Sequence, residues 1–369
     1  TVFPCPCLSA ALGQKGPSPV RTTIMWMFTL LWVAQVVSAS MPYCSDAVPC
    51  KNVTANEFTF QCRFAGQQQG TPVILLHGFP CWSYWWLPLL TRWATGDDGL
   101  YGVACDMRGY SPGASPDDPA LYTYAEIATD VWAIADALGF QQFHLAGHDH
   151  GAGLGWTAAA AAPALYGGGR LLSYTAFSVP HIAAFNLALA GPEPDEAQQV
   201  ASTYFNQFSL ADSATRNNES LSQALGYGQF QSMSAADFQR ALWWYNGMLG
   251  TGARPPVVSK WEILKYPQEM PFILAVQSAI PLPVAPAVPA VSTIGNVTVP
   301  TMYACGSNDH YLLCTRPSMK RTAEFVSAEY VYRNFSCGHD FFTVGGDGCQ
   351  AQADVDNVIE AVTSFMLSH

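Results

Sequence analysis

A short apolar run, Phe143-His144-Leu145-Ala146, is followed by Gly147-His148-Asp149-His150-Gly151, and Ala152 and Gly153 then lead into an alanine-rich stretch. The pattern predicts strand, sharp turn and helix. Glycines two before and two after the central residue let the backbone turn tightly and let the helix pack close, which pushes one side chain up at the carboxyl edge of a sheet. That side chain is the carboxylate of Asp149. A lone Gly-x-Asp-x-Gly recurs by chance, so its surroundings must carry the reading. Val73–Leu76 ends in His77-Gly78-Phe79-Pro80, which would set the backbone N–H of Phe79 beside the turn. With the N–H of His150 it would form an oxyanion hole. Val103–Cys105 ends in Asp106-Met107-Arg108-Gly109-Tyr110-Ser111-Pro112-Gly113, a further turn at the same edge, where Asp106 and Arg108 are expected to form a bracing ion pair.

These turns need a sheet to hold them. Phe58, Phe60, Cys62 and Phe64 alternate as in a half-buried strand, and apolar runs follow at Pro72–Leu76, Tyr101–Cys105, Phe143–Ala146, Leu171–Phe177, Thr301–Cys305 and Glu329–Phe335. Between them lie helix patterns such as Tyr124–Leu138, stopped by Gly139, and Gly153–Ala162, stopped by Pro163. Alternation of this kind means an α/β fold with a mostly parallel central sheet flanked by helices. It is interrupted from about His181 to Ala290 by a helix-leaning segment (Asp195–Phe208, Ala235–Met248, Trp261–Tyr266) ending in the proline-rich Pro281–Pro289. The segment reads as an inserted lid. The expected divisions are an upstream segment over 1–39, core over 40–180, helical cap over 181–290 and core again over 291–369.

His77-Gly78-Phe79-Pro80, the Asp106–Gly113 turn and Gly147-His148-Asp149-His150-Gly151, in this order, resemble the epoxide hydrolases of the α/β-hydrolase fold, near the haloalkane and fluoroacetate dehalogenases. The likeness runs from Phe58 onward. It implies a nucleophilic Asp149, an acid after a later strand and a base near the C-terminus. Strand Thr301–Cys305 is followed by Gly306-Ser307-Asn308-Asp309, which makes Asp309 the acid, and Glu329–Phe335 by Cys337-Gly338-His339, which makes His339 the base. Asp340, next to that histidine, is read as structural. His148, His150 and His310 share no helix face and are read as pocket wall or surface, so no metal and no organic cofactor are expected. The family opens its epoxide with two lid tyrosines as acids. Leu242-Trp243-Trp244-Tyr245-Asn246 resembles the segment bearing one, Tyr245; Tyr204-Phe205-Asn206-Gln207-Phe208 resembles the other more loosely, and a second register puts Ala201 in place of Tyr204. Phe79, Trp82, Trp85, Trp86, Trp243 and Trp244 are expected to supply an apolar substrate pocket, with Trp86 and Trp244 its chief walls.

The implied reaction converts a small apolar epoxide to a vicinal diol through an ester on Asp149. A dehalogenase would use the same triad, but haloalkane dehalogenases commonly place Trp after the nucleophile, where this chain has His150, and no Asn replaces Phe79. A binding protein that kept the fold and lost turnover is the alternative outside catalysis.

Composition agrees with a globular protein. Half of the 369 residues are hydrophobic and only 12% charged, which excludes a mostly disordered chain. Sixteen Lys and Arg against 27 Asp and Glu give a net charge of −11, which speaks against nucleic acid as a partner. Ile24–Val37 is apolar, follows Lys15 and Arg21, and ends at Val37-Ser38-Ala39, which reads as a secretory signal cut near Ala39. The alternative is a retained anchor over residues 22–45, the one route to membrane association. Sequons at Asn52, Asn218, Asn296 and Asn334 fit the secretory reading. Of nine later cysteines, Cys44 with Cys50 and Cys337 with Cys349 are the expected bridges. Cys105 and Cys305, inside strand-like runs, are expected to be buried free thiols.

Overall fold

The computed structural model describes residues 43–205, 208, 234–249 and 294–369. Eight strands form one sheet: β1 (Cys50–Ala55), β2 (Phe58–Gly66), β3 (Thr71–Leu76), β4 (Leu100–Cys105), β5 (Phe143–His148), β6 (Leu171–Phe177), β7 (Thr301–Gly306) and β8 (Tyr330–Phe335). Their spatial order is β1-β2-β4-β3-β5-β6-β7-β8. β2 pairs antiparallel with β1 and β4, and every pairing from β4 to β8 is parallel. The expected mostly parallel sheet is therefore present.

β1 is an addition to the reading of the sequence. Its residues Lys51, Asn52 and Thr54 are exposed, so it lacks the apolar run that marked the inner strands. It turns into β2 through Asn56 and Glu57, both with positive φ (49° and 66°), the backbone of a tight hairpin without glycine.

The inner strands are apolar on both faces because helices cover both faces. In β3, Val73 and Leu75 join one buried layer with Leu89, Leu90 and Trp93 of α1 (Leu87–Thr95) and Val358 and Val362 of the C-terminal helix Gln352–Leu367. Ile74 and Leu76 join the opposite layer with Ile127 and Val131 of α2 (Tyr124–Ala137) and Leu154 of α3 (His150–Ala161). α2 starts where the Thr123 side chain accepts the Glu126 N–H, and Gly139 follows it at φ +74°. α4 (Ile182–Ala190), α5 (Glu196–Ala201) and α6 (Ala235–Leu249) fall in the segment read as a lid. Trp261–Tyr266 and Pro281–Pro289 lie outside the described residues, as do the N-terminal apolar run and Asn218.

Four disulfides are formed among the described residues: Cys44–Cys50, Cys62–Cys105, Cys305–Cys314 and Cys337–Cys349. The first and last were expected. Cys105 and Cys305 are not free thiols; strand register decides the matter, since Cys62 stands directly opposite Cys105 between β2 and β4, and the chain after β7 folds back to bring Cys314 to Cys305.

Candidate active site

The turn from β5 to α3 places Asp149 at φ 53°, ψ −123°, outside the regions a non-glycine residue ordinarily occupies. Its neighbours explain why the flanking residues are glycine. A Cβ on Gly147 would collide with the Gly151 carbonyl, and one on Gly151 would collide with the carbonyls of Leu76 and His77. The turn thus wedges against the end of β3, and the Asp149 carboxylate stands clear of it.

That carboxylate is 7% exposed and held from two sides. The Phe79 N–H donates to Oδ1 at 2.9 Å. Oδ2 lies 3.4 Å from His339 Nε2. On the other edge of the ring, His339 Nδ1 bonds Asp309 Oδ2 at 2.9 Å. Asp309 is fixed by its own turn, its Oδ1 accepting from the N–H groups of Tyr311 (2.9 Å) and Leu312 (3.0 Å). The structure therefore brings together all three residues named from widely separated parts of the sequence.

Burial opposes charge on Asp149, yet the hydrogen bond from His339 and the charge on that ring hold its carboxyl well below the usual carboxylate range. Burial likewise opposes charge on His339, but the Asp309 carboxylate and the hydrogen bonds to Asp149 and Asp309 raise it well above 6.5. The resting state is an imidazolium between two carboxylates. His148 and His150 are driven the other way, to about 3 and about 4, chiefly by burial, and stay neutral.

Over this group lie the two tyrosines. Tyr245 on α6 packs edge-on against His150 (ring centroids 4.3 Å apart) and Phe79 (5.3 Å), and Tyr204, just after α5, lies 6.3 Å from it. Both are buried, and burial together with the Asp149 charge pushes both hydroxyls well above the ordinary 10, so both are O–H donors. Phe208 and Phe238 complete the apolar surround of Phe79.

Several wall residues lie elsewhere than expected. Trp86 is fully buried in the layer beneath the sheet, against Trp85, Phe177 and Phe342, because the turn after Pro80 carries it onto the face covered by α1. It is core, not pocket. Trp85 stacks on His148 at 3.9 Å, and His148 in turn hydrogen-bonds the His339 carbonyl at 2.9 Å. Trp244 donates its indole N–H to the Arg108 carbonyl (2.9 Å) and packs on His77, Tyr110 and His150, which makes it a hook between α6 and the β4 turn. Asp106 and Arg108 do not pair with each other. Asp106 binds the Ser83 N–H (2.7 Å) and Ser83 hydroxyl and faces Arg63, while Arg108 holds Asp130 through two nitrogens at 2.6 and 2.9 Å.

Two contributors carried no signal in the sequence. The Tyr124 hydroxyl bonds His150 Nδ1 at 2.6 Å, and Asp347 Oδ1 accepts the His339 N–H at 3.3 Å. Neither belongs to a motif; each arrives through packing. Among the described residues, no group of three or more His, Cys, Asp or Glu could hold a metal ion.

Residues 71–345 match the model of the alpha/beta hydrolase fold family. The chain belongs to that family. Among curated relatives of this α/β-hydrolase, an epoxide hydrolase 3 from Siraitia grosvenorii is 36% identical over 107 residues, 29% of this chain and 33% of that protein. A fluoroacetate dehalogenase from a Burkholderia species is 36% identical over 106 residues, 27% and 32% of the two chains. The chain thus matches about a third of the length of these relatives. A solved epoxide hydrolase from Vigna radiata superposes with a TM-score of 0.54 at 20% identity, covering 88% of this chain and 99% of that one. A Bacillus megaterium epoxide hydrolase gives 0.55 at 19% identity, covering 86% and 100%. At such identities the superpositions speak for the shared α/β-hydrolase fold. The four disulfides of this family member fit an oxidising compartment.

Proposed function

We propose that this α/β-hydrolase opens a small apolar epoxide to a vicinal diol through a covalent ester on Asp149. The division that goes with it is core over 40–180 and 291–369 and cap over 181–290, of which α4, α5 and α6 lie among the described residues. The observation that carries the reading is an ionised Asp149 set between the imidazolium of His339 and two buried tyrosine donors. Oδ1 is engaged by Phe79 N–H, and Oδ2, which faces His339 Nε2 at the longer distance of 3.4 Å, is the oxygen that attacks. It bonds to a ring carbon, the carbon–oxygen bond of the epoxide breaks, and the departing oxygen takes a proton from Tyr245 or Tyr204.

Ester formation also switches the base on. It removes the negative charge and the hydrogen bond by which Asp149 raises His339, so the imidazole sheds the proton it held at rest. That proton balances the one the tyrosine gave up and must recover. The neutral ring, oriented by Asp309, then takes a proton from water as the water oxygen attacks the ester carbonyl carbon. Charge on Oδ1 meets the Phe79 N–H and that of His150, the first residue of α3, where helix N–H groups have no partner within the helix. Collapse expels the diol oxygen, which recovers the proton from His339.

His339→Gln should form the ester and fail to release it. Intact-protein mass spectrometry after adding styrene oxide should then show a stable gain of one substrate, mapping to Asp149. Diol made by that variant at the wild-type rate, with no adduct, would overturn the reading. Bromide or fluoride release from haloalkanes or fluoroacetate without diol formation would point to a dehalogenase instead. Binding without turnover would point to a protein that kept only the fold. Consistent with the disulfides, we propose secretion after cleavage near Ala39. N-terminal sequencing of secreted protein should begin near Ser40, and recovery of a carbonate-resistant membrane form would favour the anchor over residues 22–45.

A further inference from the structure

The two departures from the sheet that carry Asp309 and His339 are each closed by a disulfide at the base. After β7 the chain leaves through Gly306 and Asp309, and Cys314 returns to Cys305 inside the strand, nine residues apart in sequence. After β8 it leaves through Gly338 and His339, and Cys349 returns to Cys337, twelve residues apart. All four cysteines are fully buried. The two rings also touch, for the Asn308 N–H donates to the Cys337 carbonyl at 2.9 Å. Asp149 has no need of such a clamp, since its turn joins β5 directly to α3.

We infer that Cys305–Cys314 and Cys337–Cys349 are positioning groups, which keep Asp309 and His339 in register so that the acid holds the imidazole. A bridge acts here by removing loop conformations rather than by touching substrate. Without it, the Asp309 turn retains its hydrogen bonds to Gly306 and to the Gln198 side chain but loses the covalent tie that limits its movement relative to β7. The His339 loop retains its backbone contacts to Asp347 and His148 and the backbone bridge between Cys337 and Cys349, but loses the covalent bond that locks that bridge. Ester formation relies on Asp149, Phe79 and the tyrosines, which lie outside both rings, so the defect should fall on ester hydrolysis. This kinetic part rests on the epoxide reading above; the geometric part does not.

The test compares Cys305→Ala/Cys314→Ala and Cys337→Ala/Cys349→Ala with Cys44→Ala/Cys50→Ala, whose bridge closes an exposed loop ahead of β1. A proton held between an imidazole nitrogen and a carboxylate resonates far downfield. That signal from His339 should be present in wild type and in the Cys44/Cys50 control, and broadened away in both ring variants. With styrene oxide, both ring variants should form the ester at close to the wild-type rate and release it roughly 10- to 100-fold more slowly, the scale of a misplaced catalytic group. If a double variant does not fold by circular dichroism, Cys314→Ala or Cys349→Ala alone breaks the same bridge and gives the same readout. The inference is overturned if the signal persists in both ring variants or is missing from wild type. Wild type that takes up no epoxide would overturn the functional reading, and the imidazole signal alone then decides the positioning role.

Discussion

The core and cap sides of the site are held by different forces. Below, Asp149, His339 and Asp309 are fixed by directional bonds of 2.9 to 3.4 Å and by two ring-closing disulfides. Above, Tyr245 and Tyr204 sit among Phe79, Phe205, Phe208 and each other, in ring-edge contacts with centroids 4.6 to 6.3 Å apart. The indole of Trp244 and an ion pair from Arg240 to Asp117 tie α6 to the core. Edge contacts between rings are worth about 0.5 to 1.5 kcal/mol each and tolerate small shifts, whereas a base must meet its water within a fraction of an ångström. On the proposed reaction, the division implies that core changes act on ester hydrolysis and cap changes on ester formation.

The largest expected effect tests the core. Asp309→Asn keeps the shape of the acid but removes the charge that raises His339 and orients its tautomer. Ester release should fall by roughly 10⁴-fold, the loss seen when the orienting carboxylate of a triad is replaced by its amide. Ester formation should change by only a fewfold. Rapid-quench mass spectrometry separates the two, and equal slowing of both steps would dissolve the comparison.

The cap counterpart comes next. Tyr245→Phe and Tyr204→Phe each remove one donor to the ring oxygen and should slow ester formation by roughly 30- to 1,000-fold, equivalent to about 2 to 4 kcal/mol. Release of the preformed ester should stay near wild type. An unchanged formation rate in Tyr204→Phe would transfer its role to another cap residue.

A pH series then separates the halves without mutation. Asp149 is held ionised well below the usual carboxylate range, so ester formation should be flat down to about pH 5. His339 stands above 6.5 in the resting enzyme, but in the ester it loses Asp149 as a charged partner, and its pKa falls. Hydrolysis needs the neutral ring, so its rate should rise with pH, and drop roughly tenfold per pH unit below that lowered pKa. Stopped-flow tryptophan fluorescence, matched to quench data, measures both. A hydrolysis rate still limited by the resting, raised pKa would mean that ester formation does not discharge the imidazole.

The same contrast governs what could be read from the sequence. The core half was legible because strand, glycine-flanked turn and helix follow one another within a few residues, and because Asp309 and His339 each come directly after an apolar strand. β1 was not, since an edge strand with one face in water lacks the apolar run of a central one. Cys62–Cys105 depends on the register of strands far apart in sequence, and Cys305–Cys314 on the path of a long loop. Trp86 and Trp244 show the limit most clearly. Adjacent aromatic residues leave the backbone in different directions, and one rotation decides between core, hook and pocket.

The smallest expected effect concerns the cradle beneath His339. Burial, partly offset by the His339 charge, raises Asp347 to about 7, and its Oδ1 receives the His339 N–H. Below pH 7 this carboxyl is mostly protonated, so Asp347→Asn replaces one neutral acceptor with another, and hydrolysis should be unchanged. At higher pH, beyond a crossover moved upward once the ester has discharged His339, the wild-type group is a carboxylate. The variant then lacks a negative charge that favours the imidazolium, while its backbone hydrogen bond becomes weaker by roughly the difference between a charged and a neutral acceptor, about 1 kcal/mol. The two changes oppose each other for a base that must be neutral to work, so the variant should depart from wild type by no more than about threefold, and only on the alkaline side. Single-turnover ester release at a series of pH values decides it. A larger effect on the acid side, where both proteins carry a neutral group, would show that Asp347 acts by shape and that the loop, rather than its charge, sets the position of His339.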